Sequence, residues 1–387
     1  MDRYRKDNRR SFLKKGAALA AGVSLGSGAV LAAGWERKEP SLQYPLGTIA
    51  RDAGMQLSEA YFSGMNEQKI ALCRQMNVLG AVGGINTKLV SAGEVKPWDY
   101  EAVAATKEAW KKAGLDFNVV EGPPSLGEKT KLGLEGRDEE IANFITLMKN
   151  LKKAGVDVIC YNWMPVIGWY RTQNDRPGRG GALVTAFDYN EVKNEPLTQY
   201  GDVSKETMWK NLVYFLKAVV PEAEKIGMKL AMHPDDPQVN SIRGIARIMN
   251  TIENFDRMLN LVPSSANGVT LCQGNFSLMG ADIPKLVRRW GKQGLIHFVH
   301  FRNVQELSKQ LPSTKFTECF HDEGDIDMYA AMKAYYDIGF KGPIRPDHVP
   351  TMYGDRNEHP GYSTIGTLYA LGYIRGLMEA VSKQMLA

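Results

Sequence analysis

Four segments in the second half of the chain each end in a side chain that could bind a metal ion. They are MKLAMHP with His233, GVTLCQG with Cys272, IHFVHFRN with His297 and His300, and GPIRPDH with Asp347 and His348. Imidazole, thiolate and carboxylate groups are the usual protein ligands of borderline divalent cations. If these segments are neighbouring strands, the sequence predicts one metal site at their ends, made of His233, Cys272, His300 and Asp347.

Side-chain alternation selects one histidine from the third of these segments. Successive side chains of a strand point to opposite faces, so His300 and Arg302 share a face and His297 points the other way with Val299. His300 is also closer to the end of the segment. We therefore predict His300 as the ligand and interpret His297 as a structural residue or as a group behind the ligands.

The elements that must position these residues follow a regular order. Strand-like segments at 55–62, 77–84, 115–122 and 156–163 precede the four already named, and a stretch with helical spacing follows each strand. The helical stretches are 66–76, 99–113, 137–154, 204–226, 252–261, 283–290, 326–338 and 364–381. Eight successive strand–helix units with apolar strands predict a single (β/α)8 barrel, with a doubly wound open sheet as the alternative.

A barrel gives the spacing of the ligands a meaning, because barrel active sites lie at the carboxyl ends of the strands. The long segment 164–203 follows the fourth strand and is therefore expected over the same mouth. Its centre, RTQNDRPGRGGA, is basic and reads as flexible. We interpret the segment as a lid that supplies Arg171 and excludes water, with a subunit contact as a compatible alternative.

Charge is concentrated at the start of the chain. The formal net charge is +5, and the seven Lys or Arg and two Asp or Glu of residues 1–32 account for all of it, which leaves 41 basic and 41 acidic residues elsewhere. A chain that is neutral beyond residue 32 has no overall electrostatic attraction to nucleic acid. A nucleic-acid partner is therefore not expected, while a homo-oligomer is compatible with a barrel of this size.

The basic start resembles a twin-arginine export signal. Arg9 and Arg10 precede Ser11, Phe12 and Leu13, and an Ala- and Gly-rich apolar run reaches residue 31. This run is short and rich in glycine for a membrane span. We predict a signal at 1–32, a linker at 33–54 and the catalytic barrel at 55–387, exported by the twin-arginine machinery to the periplasm without a permanent membrane anchor.

Six longer segments resemble one known family, the mannonate dehydratases of hexuronate breakdown. They are CYNWMPVIGWYRT (160–172), LAMHPDDP (230–237), SSANGVTLCQG (264–274), IHFVHFRNV (296–304), DIDMYAAMKA (325–334) and GPIRPDH (342–348). The resemblance spans about residues 55–380. It implies a xylose-isomerase-like barrel, a divalent Mn or Fe ion, and the loss of water from D-mannonate to give 2-keto-3-deoxy-D-gluconate.

Matched position by position, the family's metal ligands fall on His233, Cys272, His300 and Asp347. Its catalytic pair falls on His348 and on Tyr362 of PGYSTIG. The chemistry requires a base for the C2 proton, an acid for the departing C3 hydroxyl and a cation for the charge that builds on the carboxylate. The sequence leaves open which of the pair is acid and which is base. On ligand softness alone, Zn or Fe(II) suits the set at least as well as Mn.

Several further polar residues have two interpretations each. Arg171, Arg302 and Arg345 could contact the substrate or form ion pairs at the rim. Asp235 and Asp236 could orient ligands or cap a turn. His321 and Asp322 could cover the site or belong to a solvated loop, and His359 is expected to be exposed.

Departures from the family pattern concern the substrate pocket. Gly168 stands where the family usually has an acidic residue before Trp169, and Val349 and Pro350 follow GPIRPDH where Gly and His or Arg are usual. The metal positions are unaffected. An exported isomerase or epimerase on the same barrel, or a sugar-binding barrel without catalysis, therefore remain as alternatives.

Overall fold

The computed structural model describes residues 54–91 and 93–386 of the chain. The predicted signal and nearly all of the predicted linker lie outside the described residues. The strands are, in chain order, β1 Gln56–Ala60, β2 Gly80–Gly83, β3 Asp116–Glu121, β4 Val158–Tyr161, β5 Gln173–Pro177, β6 Leu183–Asp188, β7 Lys229–Met232, β8 Ser241–Ile242, β9 Ile245–Ala246, β10 Asn267–Cys272, β11 Ile296–Phe301, β12 Val304–Glu306, β13 Lys315–Glu318 and β14 Pro343–Pro346.

The described α-helices include one for each of the eight predicted stretches and three further helices of four to six residues. They are α1 Glu67–Gln75, α2 Tyr100–Lys112, α3 Glu128–Leu132, α4 Arg137–Lys153, α5 Tyr189–Val192, α6 Lys205–Ile226, α7 Ile252–Leu261, α8 Gln273–Leu278, α9 Ile283–Gly291, α10 Met328–Asp337 and α11 Thr364–Leu386. Short 3₁₀ turns lie at Thr87–Leu89 and Arg179–Gly181. Within the described residues, none of the helices combines the length and apolarity that crossing a bilayer requires.

Eight of the described strands close into a parallel barrel in the order β1, β2, β3, β4, β7, β10, β11 and β14, with β14 pairing back to β1. Each barrel strand is followed by at least one helix, so the predicted (β/α)8 fold is confirmed and the open-sheet alternative is wrong. Because all eight strands are parallel, their carboxyl ends meet at one mouth of the barrel.

Two buried layers result from side-chain alternation along the strands. One face of the strands fills the barrel interior with Val82, Val119, Val158, Cys160, Ala231 and Phe298. The other face carries residues such as Ile159, Leu230 and Val299, which belong to the larger core shared with the helices. The strands are therefore apolar on both faces, as the sequence predicted.

Helix α6 shows how local sequence signals set the elements. The side chain of Ser204 accepts a hydrogen bond from the backbone N–H of Thr207 and caps the amino end, and Gly227 ends the helix at φ 70°. Met208, Leu212 and Phe215 recur on one buried face. Strand β7 begins two residues after Gly227, so the helix ends where the strand with His233 must start.

The segment after β4 is not the flexible loop that its sequence suggested. Strands β5 and β6 form an antiparallel hairpin, which pairs with β13 and β12 in a four-stranded sheet of order β12, β13, β6, β5. Phe187 pairs in register with Phe316, and both belong to a buried cluster that also holds Val192, Val239, Ile242, Leu278 and Val304. The hairpin therefore has its own apolar core.

Candidate metal centre at the mouth of the barrel

Strand alternation points the predicted ligands into the mouth of the barrel. Ala231 and Phe298 belong to the interior cluster, so the residues two positions further along, His233 and His300, face the same interior. Cys272 is the last residue of β10, and Asp347 follows β14 directly. The four side chains thus leave four consecutive barrel strands at their carboxyl ends.

The ligand atoms of these residues lie close together. One ligand atom from each of His233, Cys272 and His300 lies within 4.8 Å of the other two. Oδ2 of Asp347 lies 3.4 Å from Nδ1 of His300 and 3.9 Å from Sγ of Cys272. Ligand atoms bound to one ion at about 2.0–2.3 Å are about 3–4 Å apart, so this spacing suits a shared divalent cation.

The thiol of Cys272 is prepared for metal binding by its surroundings. Burial opposes its ionisation, but the Arg302 guanidinium and hydrogen bonds with His233 and His300 lower the pKa of Cys272 to about 6. Nη1 of Arg302 lies 3.5 Å from the sulfur atom. The thiolate, which is the form that binds metals, therefore predominates at neutral pH.

A second set of possible donors shares one residue with the first. Ligand atoms of Glu121, Cys160 and His300 also lie within 4.8 Å of one another. Burial, together with the Glu121 charge, raises the pKa of Cys160 to about 11. Both oxygens of Glu121 already accept hydrogen bonds from Arg345, at 2.9 and 3.2 Å. The set that contains Cys272 is therefore the better cation site.

Arg345 connects two carboxylates of the site. Its Nη1 donates to Oδ1 of Asp347 at 2.8 Å, and its other two nitrogens hold Glu121. Glu121 in turn lies 3.3 Å from Nε2 of His300, through its Oε1. Glu121 is not among the residues predicted from the sequence. It ends β3, however, so the strand-end position that selected the other residues could have identified it.

The residues matched to the family's catalytic pair lie beside Asp347. Nε2 of His348 is 3.3 Å from Oδ2 of Asp347, and the hydroxyl of Tyr362 donates to Oδ1 at 3.1 Å. The two rings are 5.5 Å apart, and Trp169 stacks on His348 at 5.4 Å with an interplanar angle of 17°. Both side chains therefore have fixed positions next to a metal-ligand candidate.

His348 has an unusual backbone conformation. Its φ is 48°, in the left-handed region that residues other than glycine rarely adopt. Gly361, at φ 87°, faces the ring, and a Cβ there would lie 3.1 Å from Nδ1. Backbone strain of this kind concentrates at functional sites.

Burial controls the protonation of the pair. It lowers the pKa of His348 well below the ordinary value, although Asp347 acts in the opposite direction. Burial and the Asp347 charge raise the pKa of Tyr362 well above its ordinary value. The site therefore holds a neutral imidazole beside a protonated phenol.

Arg171 and Arg302, for which the sequence leaves substrate contact and ion pairing both open, form a buried ion network. Both guanidinium groups bind Asp236 and Glu318, with Nη2 of Arg171 at 2.7 Å from Glu318 and Nη1 of Arg302 at 2.9 Å from Asp236. Their side chains have no exposed surface. Since Arg302 also contacts Cys272, the network supports a ligand candidate, and Asp236 is its one member among the residues that line the nearby cavity.

A cavity of about 150 Å³ opens beside these groups, and its wall includes His233, His300, Asp347, His348, Tyr362 and Trp169. Arg345 also lines it, so this guanidinium lies at the cavity while it binds Glu121 and Asp347. Two larger depressions, of about 530 and 450 Å³, are lined by other residues such as Trp290 and His297. A small molecule in the 150 Å³ cavity would meet three of the four ligand candidates, His233, His300 and Asp347, together with the two titratable side chains His348 and Tyr362.

The remaining predicted residues lie outside this cavity. His297 is buried with Nδ1 3.0 Å from the carbonyl oxygen of Leu230, as expected of a structural histidine. His321 is buried as well, and Asp322 forms an ion pair with Arg179. Asp235 accepts a hydrogen bond from the backbone of Met249, and His359 is exposed.

Comparison with known sequences gives a consistent result. The family model of D-mannonate dehydratase (UxuA) matches residues 55–199 and 193–387. Mannonate dehydratase 2 of Halalkalibacterium halodurans is 34% identical over 355 residues, which cover 85% of this chain and 100% of the relative. The mannonate dehydratase of Thermotoga maritima is 36% identical over 343 residues, which cover 79% and 91%.

Solved structures agree with the sequence relatives. The mannonate dehydratase from Streptococcus suis serotype 2 superimposes with a TM-score of 0.74 at 32% identity, covering 86% of this chain and 94% of that one. A xylose isomerase domain protein from Planctomyces limnophilus covers 85% and 98% with a TM-score of 0.54 at 12% identity. This second likeness shows the fold alone, which is a xylose-isomerase-like barrel.

Proposed function

The chain belongs to the D-mannonate dehydratase (UxuA) family, and from that premise we propose that it removes water from D-mannonate to give 2-keto-3-deoxy-D-gluconate. It is a hydro-lyase. One observation carries the proposal: the predicted ligands from four barrel strands lie together beside one small cavity, and the two proton-transfer candidates line the same cavity.

Dehydration beside a carboxylate has defined requirements. A proton leaves C2, the C3 hydroxyl departs with an added proton as water, and the resulting enol becomes the ketone. A divalent cation held by His233, Cys272, His300 and Asp347 would supply positive charge for the negative charge that builds on the substrate carboxylate. The remaining work is proton transfer and positioning by the protein.

We assign the acid to Tyr362 and the base to His348. The Tyr362 hydroxyl donates its hydrogen bond to Asp347, so the phenol carries the proton that the departing hydroxyl needs. His348 is the other member of the pair on the cavity wall, and a neutral imidazole can accept the C2 proton. Stacking on Trp169 keeps the plane of the imidazole fixed.

Product analysis is the direct test of the reaction. Metal-loaded protein is given D-mannonate and a panel of other C5 and C6 sugar acids, and 2-keto-3-deoxy acids are measured. An isomerase or epimerase would instead produce an isomer without losing water, and a binding protein would retain the ligand unchanged. The absence of a 2-keto-3-deoxy product from every acid would overturn the proposal.

The panel is broad because the chain departs from the family pattern at Gly168, the residue before Trp169 of the cavity wall. A Cβ at Gly168 would have no neighbour within 4 Å, so the glycine leaves open space. Its carbonyl oxygen accepts a hydrogen bond from Arg247, which holds the backbone in place. We propose D-mannonate as the preferred substrate, and equal turnover of its C2 epimer would contradict that preference.

The two proton-transfer roles predict different partial reactions. Tyr362→Phe lacks the acid but keeps the base, so we expect dehydration to fall by about 10²–10⁴-fold while the C2 proton still exchanges with deuterated solvent. His348→Gln should lose both dehydration and exchange. Proton NMR of substrate recovered from D₂O measures the exchange. Exchange in His348→Gln together with no exchange in Tyr362→Phe would reverse the assignment.

We propose Mn²⁺ or Fe²⁺ as the cation, with family membership as the support. The set of one thiolate, two imidazoles and one carboxylate accommodates Fe²⁺ and Zn²⁺ as well as Mn²⁺. Elemental analysis of protein purified without chelators identifies the resident metal. Chelation should abolish turnover, and the resident metal should restore it better than Mg²⁺, which prefers oxygen ligands.

We also propose that the protein is exported through the twin-arginine pathway to the periplasm. The support is the sequence of residues 8–15, NRRSFLKK, and the apolar run that follows it. Replacing Arg9 and Arg10 by lysine should retain the protein in the cytoplasmic fraction without changing its turnover in lysate. Unchanged periplasmic recovery of that variant would contradict the proposal.

A further inference from the structure

Glu121 contacts the imidazole of His300, the residue that belongs to both sets of possible metal donors. Its Oε1 lies 3.3 Å from Nε2 of His300, and its side chain is 15% exposed. We propose that Glu121 is a positioning residue, which holds His300 with Nδ1 toward His233 and Asp347 and keeps the cation off the Cys160 side. The inference rests on the proposed metal centre and names a residue that the sequence analysis missed.

The two nitrogens of His300 face different partners. Nδ1 lies 3.2 Å from Nε2 of His233 and 3.4 Å from Oδ2 of Asp347, which are two of the three other members of the preferred ligand set. Nε2 faces Glu121. When one ring nitrogen binds a metal, a carboxylate on the other nitrogen fixes the tautomer and the ring orientation and strengthens the ligand.

Arg345 makes Glu121 a fixed partner. It holds both carboxylate oxygens of Glu121 and also donates to Asp347. The guanidinium is buried and lies over the rings of Phe62 and Phe298, at 5.6 and 5.7 Å from their centroids. Glu121 and Arg345 therefore set the orientation of two ligands, His300 and Asp347, through one rigid unit.

Existing contacts argue against a direct role for Glu121 in binding the cation or in moving protons. Oε1 lies against Nη2 of Arg345 and Nε2 of His300, and Oε2 accepts from Nε of Arg345. A cation between Glu121 and Cys160 would have to displace the guanidinium. The carboxylate is thus better suited to orient a ligand than to be one.

Metal binding by Glu121 variants tests this role without any substrate. We expect Glu121→Gln to weaken Mn²⁺ binding by about tenfold and Glu121→Ala by up to about a hundredfold, because only the amide can still accept from His300. In Co²⁺-loaded Glu121→Gln, the thiolate-to-metal absorption band should remain while the ligand-field bands shift. Glu108→Gln, on helix α2 with a side chain that is 53% exposed, is the matched control and should bind Mn²⁺ like the wild type.

Two results would overturn the inference. One is wild-type Mn²⁺ affinity together with an unchanged Co²⁺ spectrum in both Glu121 variants. The other is loss of the thiolate band in Cys160→Ser, since that would place the cation on the Cys160 side of His300. The Cys160→Ser measurement tests the inference even if Glu121→Ala does not fold. Because no substrate enters these measurements, a failure of the D-mannonate proposal would leave their outcome unchanged.

Discussion

At the scale of single residues, Cys160 and Cys272 show how position decides the chemistry of one side-chain type. Both are buried, Cys160 on β4 and Cys272 at the end of β10, and β7 lies between these two strands in the barrel. Cys272 lies beside the Arg302 guanidinium, whereas Cys160 lies near the Glu121 carboxylate and accepts a hydrogen bond from Thr270. Both cysteines are buried, so it is the charge of the neighbouring residue that distinguishes Cys272, the ligand candidate, from Cys160.

A pair of matched substitutions tests that distinction. Cys272→Ser removes the thiolate ligand itself. Loss of a residue that only hydrogen-bonds to a ligand weakens metal binding roughly 10–100-fold, so Mn²⁺ binding by Cys272→Ser should weaken by more than that. Cys160→Ser makes the same chemical change on the same mouth and should leave binding within about threefold of the wild type. Equilibrium dialysis measures both. Comparable losses in the two variants would contradict our choice of donor set.

The sequence predicted the positions of residues that follow from side-chain alternation along a strand. It did not predict ion pairs between residues far apart in the chain. Alternation and strand-end position selected His300 over His297 without knowledge of the fold. The same reasoning left Arg171 with two interpretations, because its partners Asp236 and Glu318 are 65 and 147 positions away along the chain. No local pattern shows that a guanidinium is already neutralised.

At the scale of elements, the four-stranded sheet joins the segments that follow the fourth and seventh barrel strands. Arg171 lies just before β5, and Glu318 is the last residue of β13. Their ion pair crosses between the two segments and continues through Arg302 to Cys272. The order of this sheet is therefore coupled to the position of a metal-ligand candidate.

Truncating the apolar core of this sheet should loosen it and weaken catalysis. Phe316→Ala removes a buried ring that packs 5.8 Å from Phe187, and such changes cost about 3–5 kcal/mol. We expect faster amide hydrogen exchange in 173–188 and 304–318, unchanged exchange in β3 and β4, and lower kcat/KM. Leu311→Ala, at a side chain that is 65% exposed, is the control. Uniformly faster exchange across the barrel would contradict a separate sheet.

The sequence did not reveal this sheet for a physical reason. Four of the five residues of β5 are exposed, so the strand lacks the apolar alternation that identifies a strand. The glycines between β5 and β6 support a tight connection but equally suggest a flexible loop. The pairing of β6 with β13 depends on a contact between distant parts of the chain, which a single sequence does not encode locally.

At the scale of the whole molecule, the eight repeated strand–helix units were the most predictable feature. Strands β10 and β11 are buried at every position, and helix α6 ends at Ile226, the last residue of the predicted stretch 204–226. Because the same pattern of an apolar strand followed by a helix recurs eight times, the number of units is predicted correctly even when the end of a single strand or helix is wrong by a residue. Once the barrel is fixed, the position of the site at its mouth follows.

Acid stability of the whole fold should depend on His297. Burial lowers the pKa of His297 to about 4, so between pH 6.5 and 4 the unfolded chain binds a proton that the folded chain excludes. Above about pH 6.5, His297 is neutral in both the folded and the unfolded chain and costs no stability. As the pH drops toward 4, this difference in proton binding lowers the free energy of unfolding by up to about 3 kcal/mol. His297→Gln should flatten the fall in unfolding free energy, measured with urea at each pH.

The exposed His359 provides the control for that experiment, since His359→Gln changes the same residue type at the surface. We expect the pH dependence of this variant to match that of the wild type. Equal slopes in His297→Gln and the wild type would show that the buried imidazole does not govern acid unfolding.

We propose that side chains from four barrel strands converge on one divalent cation, and X-ray absorption at the edge of the bound metal can check this arrangement. We expect one sulfur neighbour, from Cys272, with the rest of the shell made of nitrogen and oxygen, and loss of the sulfur signal in Cys272→Ser. A shell without sulfur in the wild-type protein, or a sulfur signal that persists in Cys272→Ser, would contradict it.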